Sequence, residues 1–257
     1  MINSAISRLQ FCGQISHDDL LLEIGPYARP QFSKSQHNVV YADICTSEQI
    51  RAQCAQHGYN PEFAPEQIDI IINPESEPSI ITEHRFKNIF SSHVIEHQPD
   101  LVRHLCEMAD LTVDNQSRYF VAIPDMRYCF DYWQTPSSIA EVIGAHIEKR
   151  KRLLPSTMLQ TDLFSGHNNE FQYWNNQPGT NPMLSLTLDK IRNNMKSASK
   201  LLDEYVDGHA WRFIPETFVW IIDILHQLEL QPWTVESAYT TAPGTNEFYI
   251  VLKLDTK

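Results

Sequence analysis

The sequence predicts an α/β fold in which a mainly parallel sheet is covered by helices on both faces. Short apolar runs alternate with helix-like stretches over the first half of the chain, and these runs are continuously apolar rather than alternating. Continuous apolar runs suit strands that are buried on both faces. Alternation of strands and helices implies right-handed crossovers between parallel strands.

Seven apolar segments are interpreted as strands. Five lie in the first half, are rich in Val, Ile, Phe and Tyr, and occupy residues 20–25, 38–43, 68–73, 87–92 and 118–124. Two more lie within residues 233–254, on either side of a Pro-Gly sequence that favours a turn. Because strands joined by a short turn are antiparallel, we expect a seven-stranded, mainly parallel sheet with one late antiparallel strand.

Four stretches place apolar residues at helical spacing, namely residues 47–58, 100–113, 187–206 and 215–230. Gly58 is suited to end the first of these helices, and Pro215 is suited to the first turn of the last. Residues 125–184 hold many aromatic, His, Asn and Pro residues with weak periodicity. We therefore expect a single domain, 1–257, with a long insertion after the fifth strand.

Composition excludes some classes of protein. The 257 residues, 42% of them hydrophobic, suffice for one large core, and the net charge of -12 gives no basic surface for nucleic acid or anionic lipid. The five cysteines are odd in number and form no C-x-x-C pattern, which favours free thiols in a reducing cytoplasm. No apolar stretch has the length of a signal-peptide core at the N-terminus or of a membrane span elsewhere.

The stretch SSHVIEHQPD, residues 91–100, contains the pattern H-x-x-E-H at His93, Glu96 and His97. On one helix this spacing would place two imidazoles beside a carboxylate, as in zinc peptidases. A predicted strand runs directly into His93, however, and Pro99 disfavours helical angles in the residue before it. We therefore predict a strand-to-helix connection without a metal ion, and a zinc peptidase that uses these three residues is kept as a further alternative.

Several segments, taken in order, resemble class I S-adenosylmethionine-dependent methyltransferases. They are LLLEIGP, VVYADI, FSSHVIEHQPDLVRHL, YFVAIPDMRYCFDYW and GHAWRFIPETF. The similarity runs from about residue 19 to the end and is closest to a bacterial branch often linked to cell-surface glycan genes. It implies a Rossmann-like fold, the cofactor S-adenosyl-L-methionine and a small polar acceptor, such as a sugar hydroxyl of a surface glycan precursor. Residues 125–210 would then form a cap on the substrate side.

The resemblance assigns cofactor-binding residues to the ends of four strands. They are Glu23, Gly25, Asp43, Asn73, Ser92 and His93. Asp43 also has a physical rationale, because a carboxylate at a strand end can accept hydrogen bonds from both ribose hydroxyls; the alternative is a cap for the following helix. Gly25 permits a close ligand approach that a side chain would block. Tyr27 departs from the family pattern, since a second glycine is usual at its position.

The candidates for catalysis follow the fifth strand and are Asp125, Arg127, His167 and His209. Arg127 could hold a phosphate or carboxylate, or it could pair with Asp125 and fix the loop. A neutral imidazole suits proton removal from a hydroxyl near pH 7, which makes His167 or His209 the predicted base. Asn169 replaces an acid of the family pattern. A non-catalytic binding or scaffold subunit with the same fold is the main alternative.

Overall fold

The computed structural model describes residues 1–200, 203 and 205–255, and its centre is a seven-stranded sheet. The strands are β1 (Leu21–Ile24), β2 (Val39–Asp43), β3 (Ile70–Ile71), β4 (Asn88–Ser92), β5 (Arg118–Pro124), β6 (Trp233–Tyr239) and β7 (Glu247–Leu254). They lie side by side in the order β3-β2-β1-β4-β5-β7-β6. The third predicted strand, 68–73, is reduced to two residues because β3 pairs with β2 only at Ala42 and Asp43.

The sheet is mainly parallel. β1 pairs in parallel with β2 and with β4, and the pairs β2–β3 and β4–β5 are also parallel. Only β7 runs in the opposite direction, antiparallel to β5 and to β6. The predicted sheet is therefore confirmed. Its strand order reverses between β1 and β4, and ligands bind in open α/β sheets at such a switch point, outside the carboxyl ends of the strands.

Eight α-helices accompany the sheet within the described residues. They are α1 (Arg8–Cys12), α2 (Ser47–His57), α3 (Leu101–Asp110), α4 (Ile139–Ile147), α5 (Pro155–Phe164), α6 (Glu170–Trp174), α7 (Leu188–Ser199) and α8 (Pro215–Gln227). The local signals act as expected: Gly58 ends α2 with a φ of 78°, and Pro215 occupies the first turn of α8. Residues 201, 202 and 204 of the predicted helix 187–206 lie outside the described residues.

Both faces of the sheet are buried. Side chains of successive strand residues point to opposite faces, so Leu22 and Tyr119 belong to one apolar core while Leu21 and Phe120 belong to the other. The first core is completed by α3, α4 and α8, and the second by α1 and α2. Helices therefore cover both faces, which explains why the central strands read as continuously apolar.

The segment predicted as an insertion, 125–210, contains α4 to α7. α4 packs on α3 and buries Val142 and Ala145 in the first of the two cores, the one that also contains residues of α3 and α8. Part of the segment therefore belongs to the main body of the domain. All five cysteines are free, as predicted. None of the described helices combines the length and the apolar character needed to cross a membrane.

Candidate functional site

A cavity of about 690 Å³ opens at the carboxyl ends of the parallel strands. Its wall includes Gly25 after β1, Asp43 at the end of β2, Ile72 after β3, and Ser92 and His93 at the end of β4. The cavity therefore lies at the switch point between β1 and β4, where the strand order of the sheet leaves room for a ligand. Its volume falls in the range of about 300–1,000 Å³ that is usual for small-molecule sites.

The turn after β1 brings the backbone close to the neighbouring loop. Gly25 has a φ of 66°, and a Cβ atom added there would lie 2.7 Å from Cγ2 of Val94. Only glycine tolerates both conditions without strain. Tyr27, at the place of the second family glycine, has a φ of 40° and lines the cavity. Its hydroxyl lies 3.2 Å from Nδ1 of His57.

Asp43 is a buried carboxylate on the cavity wall. Its Oδ1 accepts a hydrogen bond of 2.9 Å from the N–H of Cys45, and burial raises the pKa of Asp43. The cap of α2 is Thr46, whose hydroxyl accepts the N–H of Gln49, so the alternative role of Asp43 as a helix cap does not apply. Asp43 thus presents a buried carboxylate to the cavity at the end of β2.

The side chains of Glu23 and Asn73 accept hydrogen bonds from backbone N–H groups of nearby loops and do not line the cavity. The carboxylate of Glu23 accepts the N–H groups of Gln31 at 2.6 Å and Phe32 at 3.1 Å, and burial raises the pKa of Glu23 to about 7. Oδ1 of Asn73 accepts the N–H of Glu75 at 3.1 Å. Their predicted contacts with a cofactor therefore rest on the family resemblance alone.

The end of β4 is held by charged residues from both ends of the chain. Arg8 donates to Ser92 Oγ at 2.8 Å and forms an ion pair with Glu247, which lies 3.1 Å from Nε2 of His93. Burial acts to raise the pKa of Glu247, but the hydrogen bonds from His93 and Arg8 outweigh it and hold that pKa far below its usual value. Neither Arg8 nor Glu247 belongs to a recognisable motif, so sequence reasoning missed this network.

The two histidines of the H-x-x-E-H pattern do not share a helical face. His93 has a φ of 54°, and the residues after it form a single 3-10 turn, Ile95–His97. His93 faces Glu247, whereas Nδ1 of His97 lies 2.8 Å from Oδ1 of Asp207. Both imidazoles line the cavity, and Nδ1 of His93 and Nε2 of His97 lie 3.9 Å and 3.6 Å from Oε1 of Glu96. Among the described residues, however, the group whose ligand atoms all lie within 4.8 Å of one another contains His97 and not His93.

At this wall, Glu96, His97 and His209 form a cluster that the sequence did not predict. Nε2 of His97 and Nε2 of His209 lie 3.6 Å and 3.8 Å from Oε1 of Glu96. Nδ1 of His209 lies 2.6 Å from Oδ2 of Asp131, which is buried. Burial alone lowers the pKa of His97, but its hydrogen bond to Asp207 and the charge of Glu96 outweigh burial and raise that pKa.

The other predicted catalytic residues lie outside the cavity wall. Asp125 is fully buried and accepts hydrogen bonds from Arg127 at 2.9 Å and 2.6 Å and from Thr241 at 2.6 Å. This arrangement matches the alternative in which the Arg–Asp pair fixes the loop after β5. His167 stacks on Tyr173. His209, with its ring centroid 4.8 Å from that of His97, lies next to the cavity wall.

Comparison with known proteins gives similarity at the level of the fold. No family model matches the chain, and neither does any curated protein. A solved structure from Rhodobacter sphaeroides, provisionally named as one of the Zn-dependent alcohol dehydrogenases, has a TM-score of 0.52 and 12% identity, with 98% of this chain and 91% of that one covered. This similarity supports the Rossmann-like α/β fold.

Methyltransferases are also among the similar structures. The CcbJ methyltransferase from Streptomyces caelestis has a TM-score of 0.48 and 9% identity, with 96% of this chain and 93% of that one covered. An S-adenosylmethionine-dependent methyltransferase from Clostridium acetobutylicum has a TM-score of 0.43 and 9% identity, with coverage of 96% and 89%. At these identities and scores, the similarity assigns neither a function nor the role of any residue to this chain.

Proposed function

We propose that the chain is an S-adenosylmethionine-dependent methyltransferase that acts on a small polar acceptor. The observation that carries the proposal is the buried carboxylate of Asp43 at the tip of β2, on the wall of a cavity at the switch point of the sheet. A sugar hydroxyl of a surface glycan precursor is the acceptor that the resemblance of the sequence suggests.

The residues of the cavity fit the cofactor in three respects. Asp43 offers a carboxylate for ribose hydroxyls, and the bare backbone at Gly25 allows a close approach beside β1. Ser92 and His93 stand at the end of β4, next to that turn, where the methionine end would lie. Tyr27 lines the cavity at the second glycine position, and this departure from the family pattern supports the alternative of a non-catalytic binding or scaffold subunit with the same fold.

In this proposal, the cofactor supplies an activated methyl group bound to a sulfonium. The chain contributes binding, orientation and exclusion of water, which are the main requirements of an in-line displacement. A hydroxyl acceptor also has to lose a proton. His97 on the cavity wall, and His209 behind it, are the imidazoles placed near enough to serve that step.

Calorimetry with S-adenosylhomocysteine tests the cofactor assignment. Asp43→Ala removes up to two charge-assisted hydrogen bonds of about 1.5–3 kcal/mol each, so the affinity should fall at least about tenfold. Asp18→Ala, which removes an exposed carboxylate outside the cavity, is the matched control and should bind like the wild type. Equal affinity in a folded Asp43→Ala variant would remove Asp43 from the site, and a wild-type protein that binds no cofactor would overturn the proposal.

A further inference from the structure

Two histidines and a glutamate converge at the cavity wall from two separate loops, with His97 itself lining the cavity. Glu96 and His97 come from the turn after β4, and His209 comes from the segment before α8. One oxygen or nitrogen atom of each side chain lies within 4.8 Å of those of the other two. We propose that Glu96, His97 and His209 bind one divalent transition-metal ion, with Zn²⁺ as the ion best suited to two imidazoles and one carboxylate.

When both imidazoles are neutral, each directs a nitrogen lone pair toward Glu96. A carboxylate can only accept a hydrogen bond, so Nδ1 of His97 donates to Asp207 and Nδ1 of His209 donates to Asp131. In the neutral rings, the unprotonated Nε2 atoms then point toward Oε1 of Glu96. Lone pairs that face a carboxylate repel it, and a cation between them converts the repulsion into ligation.

Glu96 itself needs a cation. Its side chain is completely buried, and neither carboxylate oxygen has a hydrogen-bond partner among the described residues. A buried carboxylate without a partner is costly, because burial removes its hydration and nothing replaces it. The nearest nitrogen atoms of His97 and His209, at 3.6 Å and 3.8 Å, are beyond hydrogen-bond distance.

The separations suit a metal ion better than a shared proton. A proton would draw a nitrogen and an oxygen to about 2.7–3.2 Å. A tetrahedral ion with ligand bonds near 2.1 Å holds its ligand atoms about 3.4 Å apart. The observed 3.6 Å and 3.8 Å are close to this separation, and the three ligand atoms all lie within 4.8 Å of one another, so the side chains would move closer together to ligate an ion.

The surroundings hold the ligands in place. Histidine ligands usually donate their second N–H to a carboxylate, which fixes the ring and its tautomer, and Asp207 and Asp131 are in that position here. The backbone ties the two loops together, since the carbonyl of Glu96 accepts the N–H groups of Ala210 at 2.7 Å and Trp211 at 3.0 Å. The cluster is thus prearranged by bonds that do not depend on the ion.

The proposed site differs from the zinc reading of the H-x-x-E-H pattern and from the expectation of no metal. His209 takes the place of His93 as a ligand, because the ligand atoms of Glu96, His97 and His209 all lie within 4.8 Å of one another and His93 is not part of this group. Nδ1 of His93 lies 3.9 Å from Oε1 of Glu96, and its Nε2 lies 3.1 Å from Glu247. Three protein ligands leave one position of a tetrahedral ion for water or an acceptor oxygen. An ion there would lower the pKa of a bound hydroxyl, a use that rests on the proposed methyl transfer, whereas ion binding itself does not.

Metal titration of the purified chain, stripped with a chelator, tests the proposal. Zn²⁺ binding is measured by calorimetry, and Co²⁺ binding by its visible absorption. We expect one ion per chain in the wild type and loss of this binding in Glu96→Gln and in His209→Ala. Asp131→Asn should keep the ligands but weaken binding by about 10–100-fold, as changes around metal ligands usually do.

His84→Ala is the matched control, because it removes an exposed imidazole outside the cluster and should bind one ion like the wild type. Circular dichroism establishes that each variant is folded. Should His209→Ala not fold, the isosteric variant Glu96→Gln alone decides the test. A wild-type chain that binds no ion, or equal binding in Glu96→Gln and His84→Ala, would overturn the proposal. Binding of S-adenosylhomocysteine to the stripped chain, measured in parallel, separates this failure from failure of the proposed function.

Discussion

Cγ2 of Val94 fills the space in which Gly25 would carry a Cβ atom, at a distance of 2.7 Å. The two residues belong to the turns after β1 and β4, on the two sides of the switch point. Gly25 also has a φ of 66°, a backbone angle that residues with a side chain adopt only at a cost in energy. The shape of the cavity floor therefore depends on the absence of one side chain.

Gly25→Ala should lower both stability and cofactor affinity. Its positive φ costs about 1–2 kcal/mol, and the contact with Val94 adds to this cost. Gly58→Ala is the control, because Gly58 has a φ of 78° with no atom within 4 Å of an added Cβ. Urea unfolding should show a larger loss of unfolding free energy for Gly25→Ala than for Gly58→Ala. Adding Val94→Ala to the Gly25→Ala variant should restore part of the difference. Equal losses would mean that the contact with Val94 is relieved without cost.

Arg8→Ala should make the protein less stable at neutral pH and less sensitive to acid. Removal of the partner of a largely buried carboxylate costs about 1–3 kcal/mol. The folded state holds the pKa of Glu247 below its usual value, so this stabilisation is complete above about pH 4.5 and is lost as the pH falls below it. The free energy of unfolding, measured with urea, should therefore fall more between pH 7 and pH 3.5 in the wild type than in Arg8→Ala.

The exposed pair of Arg192 and Asp189 provides the control for this prediction. Exposed ion pairs contribute about 0–1 kcal/mol, so Arg192→Ala should retain the acid sensitivity of the wild type. The interpretation of the Arg8–Glu247 pair is wrong if Arg8→Ala and the wild type lose the same stability between the two pH values.

His104 should make the fold less stable as the pH falls from 7 to 5. It is buried against the hydroxyl of Tyr119 at 3.0 Å, and burial, with a smaller effect of Arg103, lowers its pKa to about 3. The unfolded chain takes up a proton near pH 6.5, so the folded state loses about 2 kcal/mol over this range. His104→Gln should remove that part of the pH dependence, whereas His84→Gln, at an exposed position, should retain it. The free energy of unfolding, measured with urea at pH 7 and at pH 5, should show this difference. An equal change between the two pH values in the wild type, His104→Gln and His84→Gln would contradict this account.

Elements with a local signal were predicted well from the sequence. The apolar runs of the central strands, the glycine that ends α2 (Gly58) and the proline at the start of α8 each act within a few residues. The helices α1, α4, α5 and α6 were not predicted. α5 has no fully buried residue and α6 has five residues, so neither displays the apolar periodicity that identifies a helix.

The sequence by itself determined the order of strands and helices, and with it a ligand cavity at the carboxyl edge near Gly25 and Asp43. It could do so because crossovers between strands make the strands parallel, and the carboxyl ends of parallel strands lie at the same edge of the sheet. Only the tertiary structure decided which groups surround Glu96, and that Arg8 reaches Glu247. Those contacts join segments far apart in the chain, and they depend on how irregular loops close and pack, for which no periodic pattern exists in the sequence.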